Sequence, residues 1–296
     1  MQIEEKVMQG FNLKVISMNQ FRIGIAVDIG PRILYLAHHT KPALNVFNIM
    51  PEAGSQTADG FWHIYGGHRL WSSPEATPRS YSLDNQSVKL EFSKDKITII
   101  GNPEPSNAIQ KKIYIQPAKG KLGIEVVHTI TNIGRWPVQL ACWALSVMRQ
   151  NGTAIIPIIP HRVDEAGLLP DRHLSLWPYT SLADKRLTFL DKYILVQQNP
   201  KITNPIKLST KSHPDWVAYW VQGLLFVKRF KPEPGAYPDF GSNVEVYTND
   251  AMLEVETLGP LKTIRPGESI QHIEWWNIIP FGNTKLDINK IGKVMK

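Results

Sequence analysis

Apolar and polar residues alternate along much of the chain. Val88, Leu90 and Phe92 are apolar, and the residues that separate and follow them are lysine, glutamate and serine. A period of two places apolar side chains on one face of a strand and polar side chains on the other. The pattern therefore predicts a half-buried antiparallel strand in this segment.

The same kind of pattern predicts further strands, which are separated by residues that favour turns. Asn102-Pro103 and Pro234-Gly235 are two of these separators. Glycine, asparagine and proline in such clusters favour the backbone conformations of tight turns. The other predicted strands are 21–27, 32–37, 96–100, 112–116, 123–131 and 215–221.

Helical patterns are scarce in the sequence. Only residues 181–186 indicate a short helical turn, with Ser181 as its cap. No internal repeat is present, which disfavours solenoids and propellers. The sequence therefore predicts an all-β protein: one large antiparallel β-sandwich domain over residues 1–296, with little helix.

Composition supports a globular protein and excludes little else. The chain is 43% hydrophobic and 20% charged, and its net charge of +7 is spread along the sequence. Scattered basic residues predict a solvated surface rather than a nucleic-acid interface. The sole cysteine, Cys142, lies in an apolar run and cannot form an intramolecular disulfide, so we expect a buried thiol in a reducing cytoplasm.

No segment predicts export or insertion into a membrane. Residues 1–10 contain Glu4, Glu5 and Lys6 in place of a basic start followed by an apolar stretch, so no signal peptide is expected. No uncharged apolar run reaches about 18 residues, the length of a membrane span. We expect a cytoplasmic monomer or homodimer without a membrane or nucleic-acid partner.

The first candidate site lies in residues 61–75, where aromatic and charged residues surround two glycines. Gly66 and Gly67 allow a sharp turn or the close approach of a ligand. Arg69 offers several donors that suit neighbouring hydroxyls or a carboxylate. The alternative is a strand bend with packed core aromatics and an ion pair from Arg69 to Glu75, and residue types favour neither reading.

The second candidate segment is residues 174–179, in which Trp177 and Tyr179 flank a proline. Aromatic faces of this kind can support a sugar ring, although the same residues commonly pack at the end of a strand.

The third candidate region is acidic and extends from Asp239 to Glu274. Glu254 and Glu256 are two positions apart, so on a strand they face the same side, and Glu274 on a neighbouring strand would complete a carboxylate cluster. Clustering and burial raise the pKa of a carboxyl group, as a general base requires. The alternative pairs Glu254 and Glu256 with the basic residues 228–229 in a structural charge ladder.

Other kinds of chemistry lack their sequence signatures. The nine histidines show no close pair at the spacing of metal ligands, and there is no second cysteine. The chain also lacks a Gly-x-Ser-x-Gly nucleophile turn and a glycine-rich phosphate loop. We therefore expect no metal and no cofactor, and neither a serine hydrolase nor a kinase.

The C-terminal part of the chain resembles the galactose mutarotases, or aldose 1-epimerases. Residues 253–268 and the tryptophan pair at 275–276 are similar to the closing strands of that family. In this resemblance Glu256 falls on the catalytic base. Segments within residues 123–140 are similar to the strand pair that precedes the catalytic histidine, and Trp143 takes the place of that histidine.

Most of residues 12–280 resembles one branch of the mutarotase-like superfamily, and the resemblance implies the mutarotase-like supersandwich and a sugar ligand. The blocks that carry it are Gly-Gly-His-Arg-Leu-Trp with Pro-Glu within 66–75, Leu-Trp-Pro-Tyr at 176–179, Tyr-Pro-Asp at 237–239 and Leu-Gly-Pro-Leu at 258–261.

In a mutarotase a base takes the proton of the anomeric hydroxyl while an acid protonates the ring oxygen, so the ring opens and closes as the other anomer. The resemblance implies Glu256 as the base. Because an indole cannot transfer a proton at neutral pH, Trp143 cannot be the acid, and the acid would be His68 or another residue. Arg69 would orient hydroxyls or hold a negatively charged substituent. The predicted substrate-binding residues are Arg69, Trp71, Glu75, Trp143, Trp177, Tyr179, Asp239, Glu254 and Glu274.

Two alternatives to an epimerase stay open at the level of the sequence. The first is a noncatalytic sugar-binding or sensing protein in which Trp71, Trp177 and Tyr179 hold the ligand, and the missing histidine favours it. The second is a lyase or glycoside-hydrolase-like activity on a larger saccharide, because fold does not fix function. In each case the expected partner is a small sugar or an oligosaccharide.

Overall fold

The structure is a computed structural model that describes residues 3–119, 123–282 and 285–295. It is 53% strand and 5% helix, and its two large sheets are antiparallel. The predicted all-β sandwich with little helix is confirmed.

The larger sheet has 12 strands. In chain order they are β1 (Ile3–Met8), β2 (Phe11–Met18), β3 (Phe21–Ala26), β4 (Arg32–His38), β5 (Ile49–Thr57), β6 (Gly60–Ser73), β11 (Val138–Met148), β13 (Ser175–Leu176), β16 (Ile206–Thr210), β19 (Val244–Thr248), β20 (Leu253–Leu258) and β21 (Lys262–Ile264). Their spatial order is β1-β2-β3-β4-β6-β11-β20-β19-β16-β13, with β5 beside β6 and β21 beside β11.

The smaller sheet has 10 strands. In chain order they are β7 (Lys89–Phe92), β8 (Ile97–Glu104), β9 (Ile109–Pro117), β10 (Ile124–Asn132), β12 (Thr153–Pro157), β14 (Leu187–Phe189), β15 (Tyr193–Gln197), β17 (Trp216–Val221), β18 (Leu224–Phe230) and β22 (Ser269–Pro280). Their spatial order is β14-β15-β12-β17-β18-β22-β10-β9-β8-β7.

Every strand predicted from alternation is a strand in the structure, with ends that shift by a few residues. The segment that showed the clearest alternation forms β7, which lies at an edge of the smaller sheet. Leu90 packs against the core from this edge, whereas Phe92 is 39% exposed. An edge strand has a neighbour on one side only, so regular alternation here does not give full burial.

The two sheets pack face to face around an aliphatic core. Residues such as Ile23 and Val255 of the larger sheet and Val126 and Phe226 of the smaller sheet belong to this core. Cys142 is buried in it as a free thiol, as predicted. Because side chains alternate along a strand, the neighbours of these residues in the larger sheet point away from the core, onto its outer face.

Helical structure is limited to a 3-10 turn (Arg79–Tyr81), α1 (Pro238–Gly241) and α2 (Ile288–Val294) within the described residues. Residues 181–186, which indicated a helical turn, form two hydrogen-bonded turns without a helix. Ile291 of α2 packs against the outer face of the smaller sheet with Trp216 and Phe281. Neither described helix has the length or the apolar run required to cross a membrane.

Candidate functional site

Polar side chains form a row across the outer face of the larger sheet. Leu145 of β11 lies opposite Arg69 on one side and Glu256 on the other. Glu245 of β19 lies opposite Glu256 in turn. Residues two positions away share this face, which adds Trp71, Trp143, Glu254, Tyr247 and Lys207.

These residues surround a pocket of about 380 Å³, which is within the size range of small-molecule sites. The polar and aromatic residues that line it are Trp62, Arg69, Trp71, Glu75, Tyr81, Trp143, Trp177, Tyr179, Lys207, Tyr247 and Glu254. A wider depression of about 880 Å³ beside Trp220 is lined by Lys41 and Lys285 and, among the described residues, by no carboxylate. The smaller pocket is therefore the better candidate for acid and base chemistry.

Aromatic rings build one wall of the pocket. The ring centroids of Trp71 lie 5.5 Å from Trp62, 5.4 Å from Tyr81 and 5.4 Å from Trp143. On the opposite side Tyr179 meets the edge of Tyr247 with centroids 6.5 Å apart. The wall offers broad apolar faces, which suit the C–H faces of a sugar ring.

Arg69 is fixed in this wall and is 3% exposed. Its Nη2 donates to Glu254 Oε1 at 3.1 Å, and its guanidinium lies 4.3 Å from the Trp71 ring centroid. The ion pair that the sequence suggested with Glu75 is thus made with Glu254. Arg69 Nε has no hydrogen-bond partner among the described residues, which leaves an unsatisfied buried donor in this wall.

The two glycines before Arg69 are required by the backbone conformation and its close packing, and they do not line the pocket. Gly66 and Gly67 have φ values of 80° and 67°, a region that favours glycine. A Cβ on Gly66 would lie 2.2 Å from Asn48 O, and one on Gly67 would lie 2.4 Å from Ile33 O. Close backbone packing therefore requires glycine at both positions, and it fixes the part of β6 that presents Arg69.

Lys207 is the cation at the base of the pocket. Its Nζ lies 2.8 Å from Glu245 Oε2 and 3.2 Å from Glu256 Oε2. Burial opposes its charge, but the two carboxylates outweigh burial and raise the pKa of Lys207. The ammonium also lies 4.5 Å from the Trp143 ring centroid and 4.6 Å from that of Trp177.

Glu256 lies beneath this lysine and is 0% exposed. Trp143 Nε1 donates to Glu256 Oε2 at 2.8 Å, whereas Glu256 Oε1 has no described hydrogen-bond partner. Burial raises the pKa of Glu256 and, more strongly, that of Glu245, although Lys207 opposes both shifts. Two carboxylates that share one ammonium retain a proton to a higher pH than an exposed glutamate does.

Three of the predicted site residues, Glu75, Trp177 and Tyr179, line the pocket from loops. Glu75 is exposed and accepts a hydrogen bond from the Tyr81 hydroxyl. Tyr179 is also exposed, whereas Trp177 lies against the Lys207 ammonium. The structure therefore brings these three loop residues together with Arg69 and Glu254.

The structure corrects the expected position of His68. This residue alternates with Arg69 along β6, so its side chain enters the space between the sheets and is 0% exposed. Its Nε2 lies 2.7 Å from His128 Nε2, and its Nδ1 lies 2.9 Å from Ser146 Oγ. The sheet itself separates His68 from the pocket, so it cannot reach a sugar bound there.

Glu274 is also separated from the pocket, which corrects the expected carboxylate cluster. It lies in β22 of the smaller sheet and pairs with Lys228, whose Nζ is 2.8 Å from Glu274 Oε1. Although burial raises the pKa of Glu274, the charge and hydrogen bond of Lys228 together with the neighbouring His128 and His272 outweigh burial, and the pKa falls to about 2. The third carboxylate beside Glu254 and Glu256 is Glu245 instead.

Asp239 lies near the site without lining the pocket. It belongs to α1 and has a φ of 50°, and its backbone oxygen accepts a hydrogen bond from Ser242. Its charge contributes to the raised pKa of Glu245. Asp239 is therefore a neighbour of the buried carboxylates rather than a ligand contact.

Five residues of the site were not among the predicted site residues: Trp62, Tyr81, Lys207, Glu245 and Tyr247. Glu245 and Tyr247 alternate with valines in β19, which is the signal that could have placed them on one face. Lys207 is a single lysine in the short buried strand β16, and nothing local connects it to Glu256, which is 49 positions away. Only the strand order brings these residues together.

Comparison with known proteins identifies the fold. No family profile and no curated protein matches the chain. Solved structures do match, among them a TPR-domain containing protein from Parabacteroides distasonis with 13% identity and a TM-score of 0.62. That match covers 94% of this chain and 48% of the other, so this chain spans about half of that protein.

Two further matches extend over nearly the whole length of both chains. A galactose mutarotase-like protein from Lactobacillus casei is 10% identical, with a TM-score of 0.53 and coverage of 90% of this chain and 100% of that one. A galactose mutarotase-like protein from Clostridium acetobutylicum is 12% identical, with a TM-score of 0.50 and coverage of 94% and 98%. The chain therefore has the galactose mutarotase-like fold.

Proposed function

We propose that this chain binds a sugar in the outer-face pocket and interconverts its anomers, with Glu256 as the base. One observation carries the proposal. An aromatic-walled pocket on the larger sheet holds fixed charges at its surface and, directly beneath them, a carboxylate with a raised pKa and one unpartnered oxygen.

The pocket suits a single sugar ring. Trp71 and its aromatic neighbours offer faces for the C–H groups of the ring, while hydroxyls require donors and acceptors in fixed positions. Arg69 supplies a free donor at Nε, and Glu254 supplies a carboxylate held by the same arginine.

Glu256 has the chemical properties that a base for anomer exchange needs. Its raised pKa increases its affinity for the proton of an anomeric hydroxyl, and Trp143 orients the carboxylate through Oε2. Lys207 and Trp143 line the pocket above it, so the hydroxyl reaches Glu256 Oε1 only after the Lys207 side chain moves aside. The displaced ammonium would then stabilise the negative charge that forms on the ring oxygen during opening.

The burial of Glu256 favours a second candidate function, which is sugar binding without turnover. The carboxylate is 0% exposed, and its ion pair with Lys207 covers it from the pocket side. If that ion pair stays closed when a sugar binds, the aromatic wall and Arg69 still hold the ligand. The protein would then sense or carry the sugar.

The experiment that tests the proposal is NMR measurement of anomer exchange and of ligand line broadening. Purified protein is added to neutral, acidic, amino and phosphorylated monosaccharides. We expect exchange above the spontaneous rate for at least one sugar, and we expect Glu256→Gln to return it to that rate, because the amide cannot accept the proton.

Glu91→Gln is the matched control, because Glu91 is an exposed glutamate of β7 that lies outside the pocket. Full exchange in Glu256→Gln would refute the role of Glu256 as the base. Line broadening without exchange in the wild-type protein would refute the epimerase function and support sugar binding without turnover. Neither signal with any sugar would refute the monosaccharide site.

A further inference from the structure

The charges around the pocket are unequal in number. The cations are Arg69 and Lys207, and the carboxyl groups are Glu75, Glu245, Glu254 and Glu256. Even when Glu245 and Glu256 hold one proton between them, the negative charges outnumber the positive ones. The chain as a whole carries a net charge of +7, so this excess of carboxylates is opposite in sign to the rest of the protein. A concentration of one sign in a partly enclosed pocket attracts ligands of the other sign.

Both cations are already occupied by carboxylates. Arg69 pairs with Glu254 at 3.1 Å, and Lys207 lies between Glu245 and Glu256 at 2.8 and 3.2 Å. An anionic substituent on a sugar would have to compete with these carboxylates for each cation. Like charges in close contact are unfavourable, so the pocket disfavours phosphorylated and acidic sugars.

Glu75 is the pocket carboxylate that forms no ion pair in the described part of the chain, although its charge acts on Lys207 from a distance. Its hydrogen-bond partner is the hydroxyl of Tyr81, which donates to it. Tyr81 packs against Trp71 and Trp62, with centroids 5.4 and 5.1 Å apart. A carboxylate beside aromatic faces is the combination that binds an organic ammonium group, because both attract positive charge.

A second feature of the same wall points to a ligand. Arg69 Nε is buried and has no hydrogen-bond partner among the residues that the structure describes, and Arg69 belongs to the pocket lining. A buried donor without an acceptor is costly unless a ligand supplies one. The hydroxyl or ring oxygen of a sugar is such an acceptor, and it would place the ring against Trp71.

Resting on the proposed sugar site, we propose that the pocket selects sugars that carry a protonated amino group, with Glu75 and the Tyr81 ring as the partners of the ammonium. Neutral sugars bind through Arg69 Nε and the aromatic wall alone. The substrate class is therefore the amino sugars, and phosphorylated and acidic sugars are excluded.

The test is calorimetric or NMR titration of the full chain at pH 6.5 with matched sugars. Each series contains the neutral hexose, its 2-amino derivative, the N-acetylated amine and the 6-phosphate, in the gluco and the galacto configurations. We expect the amino sugar of the preferred series to bind about fivefold more tightly than the neutral hexose, the ratio that about 1 kcal/mol from one ion pair gives. N-acetylation removes the charge and should remove this advantage.

The readout for Glu75 is the Kd of the neutral hexose divided by the Kd of the amino sugar, rather than either Kd alone. In Glu75→Gln this ratio should fall to about 1, whereas Glu91→Gln should keep the wild-type ratio. Added salt should lower the wild-type ratio, because it screens an exposed charge pair.

Four results would overturn the inference. Equal Kd values for the amino and neutral sugars, or tighter binding of the 6-phosphate, would refute amino-sugar selection and leave the sugar site itself intact. A ratio that persists in Glu75→Gln would refute the ammonium site at Glu75. Binding of no sugar in either series would refute the proposed function, and the inference with it.

Discussion

At the scale of single residues, the site is governed by two buried carboxylates that share one ammonium. Glu245 and Glu256 lie opposite each other on adjacent strands, with Lys207 bonded to both. Glu245 makes no hydrogen bond in the described structure apart from its ion pair, so its ionised form is only half compensated by the shared ammonium. Ionisation of Glu245 in this position costs stability, so Glu245 and Glu256 hold a proton between them to a higher pH than an exposed glutamate does.

This arrangement predicts a pH-dependent effect of Glu245→Gln. The folded-state pKa of Glu245 lies above its unfolded value, so its contribution to stability is greatest at low pH and is lost as pH rises through the folded pKa. A glutamine side chain does not ionise, so the variant does not lose this stability. We expect the variant to gain stability relative to wild type as pH rises from 5 to 8, by about 1 kcal/mol for each unit of the shift.

Denaturant unfolding of both proteins across this pH range measures the difference. Glu91→Gln controls for the loss of one exposed negative charge. A difference between Glu245→Gln and wild type that is independent of pH would show that Glu245 titrates like an exposed glutamate.

At the scale of the element, β6 shows how one strand serves both the pocket and the core. Arg69 and Trp71 face outward, whereas His68 and Leu70 face the interior between the sheets. The positive φ values of Gly66 and Gly67 set the backbone just before this segment. A change there would therefore move Arg69 as well as the core.

Gly67→Ala should lower the free energy of unfolding by more than the strain of a positive φ at alanine alone would. The new Cβ would lie 2.4 Å from Ile33 O, so a backbone segment must shift. Gly267→Ala is the matched control, because Gly267 has a φ of 83° with no atom within 4 Å of a Cβ. We expect about 1 kcal/mol for the control and at least about 2 kcal/mol more for Gly67→Ala, measured by denaturant unfolding. Equal costs would show that the segment relaxes freely.

At the scale of the whole molecule, a buried polar cluster joins the two sheets. Lys228 of the smaller sheet donates to Glu274 at 2.8 Å and to the backbone oxygens of Ala144 and Val255 in the larger sheet. Burial lowers the pKa of His68 and of the other histidines beside it, so they stay neutral in the folded state. Unfolding lets them take up protons, and stability therefore falls as pH drops below their unfolded pKa of about 6.5.

Lys228→Met should cost about 3–5 kcal/mol at pH 7, because it leaves the Glu274 carboxylate buried without its cation. Lys89→Met removes the cation of a surface ion pair with Glu91 and should cost about 1 kcal/mol or less. Unfolding free energies of the two variants at pH 7 make the comparison. A cost for Lys228→Met as small as that for Lys89→Met would mean that the cluster does not hold the sheets together.

The sequence by itself determined the secondary structure and several relations within strands. Alternation with a period of two identified the strands and the sandwich class, because that period is a property of one strand and needs no partner. For the same reason it placed Glu254 and Glu256 on one face. The apolar run around Cys142 predicted the buried thiol.

Only the tertiary structure decided which strands pair, and therefore which side chains from different strands lie together. The pairing of β11 with β6 and β20 placed Arg69 in the pocket and His68 in the interior, and the split into two sheets removed Glu274 from Glu256. Lys207 joined the site through β16, which is distant in sequence. Local patterns specify the relative orientation of neighbours along one strand, whereas the order of the strands arises because all apolar faces must be buried at once. No single segment of the sequence could therefore predict the full set of site residues.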